Sequence, residues 1–413
     1  MIPNPFNAGF YSGNRRALSE QLPDNAVVIL GAHQHMQEAA DINFGFRQEP
    51  NFQYLTGIIE PDWRLVIDKA KGQSMLVRPQ MNEVHEAFNG LLTAEEAIVR
   101  SGVDRVMTQA QYLRWLKSAV AAKKTFFTLF PQTRLARFMH IALNPSPRLL
   151  VRHLKAHGAT PQDCRRMLSK LRAIKQAPEI EALQAAIDIT NAGLEAAIAR
   201  RHDFRYEYEY EAIMSYEFLR HGAEGVAWKP IVAAGKNSCI MHHPDNMGRI
   251  KSGDWIVTDV GARVHGYVAD VARTFPTGKK SAAWQRDIHA AAVAYHDEAM
   301  ALIQPGRPLS EYVQGSDRIL LEKLRALGLI SRKGRRAMRR RMPHAIGHGL
   351  GIDAHDSLGG FETFQPGMVL TVEPGIYVPE REFGVRIEND ILVTEDGHRN
   401  LSGALPIDIA VSA

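Results

Sequence analysis

The stretch HAIGHGLGIDAH brings His344, His348 and His355 into twelve residues, with Gly347, Gly349 and Gly351 among them. Histidine is the commonest metal ligand and the side chain that titrates nearest neutral pH. The segment therefore suits metal binding or proton transfer, although a polar loop can carry three histidines and do neither. Four acids stand in apolar strand-like runs on either side of it: Asp259 in TDVG, Asp270 in ADVARTF, Glu373 in VEPG and Glu388 in VRIEND. A buried charge without a partner costs roughly several kcal/mol. Arg273 and Arg386 could neutralise these acids, and each acid taken singly reads as half of a structural ion pair. Taken together, with histidines between them in sequence, the acids read as a cation site. Four carboxylates and an imidazole form a hard donor set that suits Mn²⁺, with cobalt, iron or zinc as substitutes. Four acids exceed what one divalent ion requires. Two ions about 3.5–4 Å apart, bridged by carboxylates and a water, would use them all. Such a pair lowers the water's pKa and offers hydroxide to an electrophilic carbon or phosphorus.

These residues need strands and turns to bring them together. AVVILG at 26–31 reads as a buried strand and RLVID at 64–68 as a second, inside an α/β domain covering residues 1–150. A basic, polar stretch over 151–176 reads as a helical linker. Residues 177–413 form an α+β block. Pro178 opens a long helix, a second covers Tyr208 to Arg220 and stops at Gly222, and others lie near 281–303 and 309–327. Two segments echo one another, GDWIVTDVG at 253–261 and GMVLTVEPG at 367–375, each an apolar strand ending on an acid. A turn centred between Val264 and His265 would set Asp259 opposite Asp270, where cross-strand Cβ atoms lie about 4.5–5.5 Å apart. Read as one strand, GVRIENDILV at 384–393 puts Arg386, Glu388 and Asp390 on one face and Ile387 and Ile391 on the other.

Composition narrows the function classes. The chain has 413 residues, 45% hydrophobic and 23% charged, as in an ordinary globular protein. No run approaches the ~18–20 apolar residues of a membrane helix, and the first residues lack the apolar core of a signal peptide. Cys164 and Cys239 imply no disulfide framework, so a reducing cytoplasm is expected and no membrane partner. The net charge is +5, and seven of the ten residues from 332 to 341 are basic. That run could meet an anionic partner or form a solvated face. No aromatic residue interrupts it, so no nucleic-acid partner is expected. The motifs HExxH and GxSxG and the Walker P-loop are absent, and GHGLG at 347–351 has the wrong spacing for a dinucleotide loop.

The motifs TDVG, DVARTFP, HAIGHGLGIDAHD, VEPGIY and GVRIEND together strongly resemble the metallopeptidases of the pita-bread fold, above all the aminopeptidase P (Xaa-Pro aminopeptidase) family. FRQEPNFQYLTG at 46–57 resembles that family's N-terminal domain, so the likeness spans nearly the whole chain. The resemblance implies a pita-bread catalytic domain behind a smaller N-terminal α/β domain, with Asp259, Asp270, His348, Glu373 and Glu388 as ligands of two divalent ions. It implies that His355 contacts the substrate carbonyl and shuttles protons, that Glu373 assists proton transfer, and that His344, Tyr377 and Arg386 surround the proline. It places a further catalytic histidine at His242, with His243 as the alternative. The glycines of the histidine segment would let the backbone approach the metals. The implied reaction removes the first residue from peptides with proline second, in a homo-oligomer, dimer or tetramer. A prolidase restricted to Xaa-Pro dipeptides is the runner-up, and a pita-bread binding protein without peptidase activity is a third reading. Many relatives carry an aromatic-Gly-Arg-Arg segment in the N-domain; here EAFNG at 86–90 lacks the arginines.

Overall fold

The computed structural model describes residues 2–278, 281–331 and 335–408. Backbone contacts divide the chain into two units, Phe6–Leu171 and Met1–Pro5 with Arg172–Ala413. In the first, strand Ala26–Gly31 pairs antiparallel with Arg64–Asp68 and parallel with Thr125–Thr128, inside a six-stranded sheet. Its unbroken apolar run fits a strand covered on both faces. Residues 151–176 do not form a separate linker. Helix Ser146–Ala156 buries Leu150 and Leu154 in the core beside Val27, Ile29 and Val66. Gln162–Asp163 then adds the sixth strand. An apolar helix stripe packed on a sheet belongs to that sheet's domain, and the boundary falls at Leu171.

The second unit mixes helices with short antiparallel strands, as α+β requires. Helix Ala177–Ala199 has the expected proline in its first turn, as its second residue, and the Glu179 carboxylate accepts the Gln176 N–H at 3.0 Å, one half of a capping box. Helices Ala283–Met300 and Leu309–Ala326 cover a core containing Trp255, Tyr295, Phe364 and Ile391. Strand Trp255–Val260 runs through the middle of one three-stranded sheet, whereas its echo Val369–Val372 lies at the edge of another.

Two registers differ from expectation. The hairpin turn is centred on His265 and Gly266, one residue later, with φ of 51° and 85°, and Val264 pairs with Tyr267. A two-residue hairpin turn favours positive φ at both positions, and glycine supplies the second without strain. Asp259 consequently faces Ala272 and not Asp270. Asp270 sits in the break between strands Tyr267–Val268 and Val271–Pro276. The segment 384–393 is likewise two strands, Phe383–Arg386 and Asn389–Val393. At the break the Ile387 N–H donates to the Pro374 carbonyl and the Glu388 N–H to that of Ala272. Those bonds replace the continuous ladder and carry Glu388 toward Asp270.

Of the basic run, residues 332–334 lie outside the described residues. The rest is helix Arg335–Arg341, which buries Met338, pairs Arg339 with Asp317 at 2.9 Å and pairs Arg341 with Glu380. These contacts occupy two of its arginines within the fold. Among the described residues no helix is long and apolar enough to cross a membrane.

Candidate metal centre

Three donors converge. Ligand atoms of Asp270, His348 and Glu388 lie within 4.8 Å of one another. His348 Nε2 is 3.5 Å from Asp270 Oδ2 and 3.6 Å from Glu373 Oε1. Asp259, the fifth expected ligand, accepts a hydrogen bond from Arg386 Nη1. The fold thus gathers Asp270, His348, Glu373 and Glu388, with Asp259 close by but turned to the arginine.

The histidine loop is laid along strand Val369–Val372. The Thr371 N–H donates to the His348 carbonyl at 2.8 Å, and Thr371 Oγ1 accepts the His348 N–H at 3.2 Å. This close approach explains Gly347, where a Cβ would lie 2.0 Å from the Thr371 carbonyl oxygen. At Gly349 a Cβ would meet the Asp356 carbonyl oxygen at 2.5 Å, and at Gly351 the Asp356 Oδ2 at 2.4 Å. The three glycines therefore clear room for Thr371 and Asp356.

The electrostatics call for a cation. Burial, then the neighbouring carboxylates, pushes the Asp270 and Glu388 carboxyls well above the ordinary carboxylate range. Burial pushes Glu373 up to about 8. Arg273, which sequence offered as a counter-charge, is fully buried but donates to the carbonyls of Ala272, Glu388, Leu405 and Pro406 and to the Asn389 amide oxygen. Among the described residues no lysine or arginine pairs with Asp270, Glu373 or Glu388. A divalent ion fits this donor set. His348 Nδ1 faces the Gly349 carbonyl at 3.1 Å, which keeps the proton on Nδ1 and leaves the Nε2 lone pair toward the acids. Burial, then His355, holds its pKa down at about 4. The Asp270 N–H donates to Asp390 Oδ2 at 3.1 Å, so a further carboxylate fixes the backbone that carries Asp270.

Around the acids stand the groups expected to handle substrate and protons. The exposed His355 ring stacks on His348 at 4.1 Å between centroids. Arg386 Nε lies 2.9 Å from the Tyr377 hydroxyl, which is 2.9 Å from His344 Nε2. Arginine can only donate. Tyr377 therefore accepts from Arg386 and donates to His344, and the His344 proton sits on Nδ1, 2.8 Å from the Ala345 carbonyl. Burial, then the Arg386 charge, holds His344 down at about 4. Tyr377 is buried behind His344 and Arg386 and holds both. His243 is committed to the buried Glu207 at 2.9 Å. His242 is exposed and near enough for its charge to act on His344. Sequence reasoning missed Glu207, Thr371 and Asp356. Asp356 adjoins His355 and could have been noticed; Glu207 carried no local signal.

Metallopeptidase family M24 matches residues 181–395, and the aminopeptidase P N-terminal domain matches residues 11–128. The chain belongs to metallopeptidase family M24. The Xaa-Pro aminopeptidases of Escherichia coli and Haemophilus influenzae are each 30% identical to it, over 96% and 97% of this chain and 94% and 95% of theirs. The structure of aminopeptidase P from E. coli with the inhibitor Pro-Leu superposes with a TM-score of 0.84 at 27% identity, covering 98% of this chain and 96% of that one. The second unit has the pita-bread fold, the first is the smaller aminopeptidase P-type domain, and the chain is a divalent-metal-dependent exopeptidase.

Proposed function

We propose that the enzyme removes the N-terminal residue from short peptides with proline in second position. The observation that carries this reading is the unit formed by His344, Tyr377 and Arg386 beside the acid cluster. Asp259, Asp270, His348, Glu373 and Glu388 would hold two divalent ions, most readily manganese. When bound, the ions supply Lewis-acid polarisation and a water of lowered pKa. His355 polarises the scissile carbonyl and moves a proton, Glu373 delivers a proton toward the leaving proline nitrogen, and His242 assists from the rim. A bond to proline is a tertiary amide without N–H, and the ring fixes φ. A wall built on His344, backed by Tyr377 and Arg386, selects that ring and need not offer an acceptor to an amide hydrogen. The free α-amine is anchored by the acids. A homo-oligomer in the cytoplasm completes the reading, with sedimentation velocity as its check.

Mass-spectrometric analysis of Ala-Pro-Ala, N-acetyl-Ala-Pro-Ala and Ala-Ala-Ala, with Mn²⁺ present, tests the specificity. Release of alanine from the first, little from the third and none of acetyl-alanine from the second is expected. Comparable cleavage of all three would overturn the reading, and cleavage of Ala-Pro with Ala-Pro-Ala untouched would make the enzyme a prolidase.

A further inference from the structure

The loop that presents His355 is closed by a carboxylate that touches no expected ligand. The Asp356 N–H donates to the Gly349 carbonyl at 2.8 Å and returns the loop on itself. Its side chain is buried, 7% exposed for the residue. Oδ1 accepts from Arg172 Nη2 at 2.9 Å and from the Ser357 N–H at 2.8 Å, and Oδ2 faces Lys175 Nζ at 3.4 Å. Both cations are buried, and the Lys175 N–H is itself fixed to the Gly367 carbonyl at 2.8 Å. Gly349 and Gly351 are the positions where a side chain would strike Asp356. The backbone has been shaped around this one residue, next in sequence to the ring that stacks on His348.

We propose that Asp356, gripped by Arg172 and Lys175, is the positioning residue that sets His355 over His348. The role rests on the reading of His355 as a proton-transfer group. Two buried cations on one carboxylate leave it little freedom, because releasing any partner strands a charge in the interior. An exposed ring on a glycine-rich loop has few restraints of its own, and a small misplacement of a catalytic group is costly in rate. Asp356 supplies the restraint one residue from the ring.

A double-mutant cycle tests this with the full-length, Mn²⁺-loaded enzyme on Ala-Pro-Ala. Asp356→Asn is expected to lower kcat about 10- to 100-fold, with KM changed less than about threefold and metal content by elemental analysis unchanged. In a His355→Ala background the same substitution should cost less than about twofold, because residues acting as a unit are not additive. Should Asp356→Asn fail to fold, Lys175→Met removes the 3.4 Å contact and runs the same cycle. Equal losses in both backgrounds, an unchanged kcat, or loss of metal would overturn the positioning role. If His355→Ala alone keeps full kcat, the reading of His355 falls and the positioning role with it. If His355→Ala is impaired and Asp356→Asn is additive, only the positioning role falls.

Discussion

His242 and His243 are neighbours with opposite commitments. Glu207 accepts hydrogen bonds from His243 Nε2 at 2.9 Å, Asn237 Nδ2 at 2.8 Å, and the N–H groups of Ala234 and Gly248 at 2.8 Å each. Those bonds tie down the segment that bears His242. Removing a donor from a buried carboxylate costs about 1–3 kcal/mol. His243→Ala should therefore lower the melting temperature and leave kcat within about threefold. His242→Ala should change stability by less than about 0.5 kcal/mol and lower kcat at least about tenfold. Calorimetry and steady-state kinetics on the pair decide the assignment, and a reversed pattern would exchange the two histidines. Arg386 offers a second test. Arg386→Gln strands Asp259 in the metal-free protein, a loss of about 3–5 kcal/mol for a broken buried pair. Saturating Mn²⁺ should recover much of it, since the ion replaces the guanidinium as counter-charge. An equal deficit with and without Mn²⁺ in urea melts would contradict Asp259 as a ligand.

At the scale of elements, the turn at His265 and Gly266 sets which residues cross the sheet from Asp259. Gly266 has φ of 85°, so Gly266→Ala should cost about 1–2 kcal/mol, read as a lowered urea midpoint. Helix Ala177–Ala199 gives the pH prediction. Burial pushes the Glu179 carboxyl up to about 7 from its ordinary 4.5. Between those values the folded state holds a proton that the unfolded state has lost, so stability falls as pH rises from about 4.5 to about 7. Below that window the group costs nothing, and above it the cost is complete, on the order of 3 kcal/mol. Glu179→Gln keeps an acceptor for the Gln176 N–H and should flatten that part of the stability–pH curve. A wild-type slope retained in the variant would place the titration elsewhere.

For the whole molecule, the gathered acids make folding and metal binding one problem. A ligand that binds only the folded state stabilises it by about 4 kcal/mol at a thousand times its Kd. Chelation should abolish turnover and lower the melting temperature, and added Mn²⁺ should restore both. Full activity in protein shown by elemental analysis to be metal-free would exclude the metal centre.

What sequence alone determined is what short-range chemistry encodes. The run at 26–31 had to be a strand, Pro178 marked the start of a helix, and four acids with a histidine cluster pointed together to a cation site. The tertiary structure decided which atoms meet. The hairpin centre hung on positive φ at a histidine, a weaker signal than Asn-Gly. The strand break at Ile387–Glu388 came from carbonyls at Pro374 and Ala272. Asp356 finds Arg172 across 184 residues, and Glu207 finds His243 across 36. Local periodicity fixes which face a side chain takes on its own element. It carries no record of which distant donor the folded backbone will bring within 3 Å, and so the acids and histidines that gather were legible while the residues that hold them in place were not.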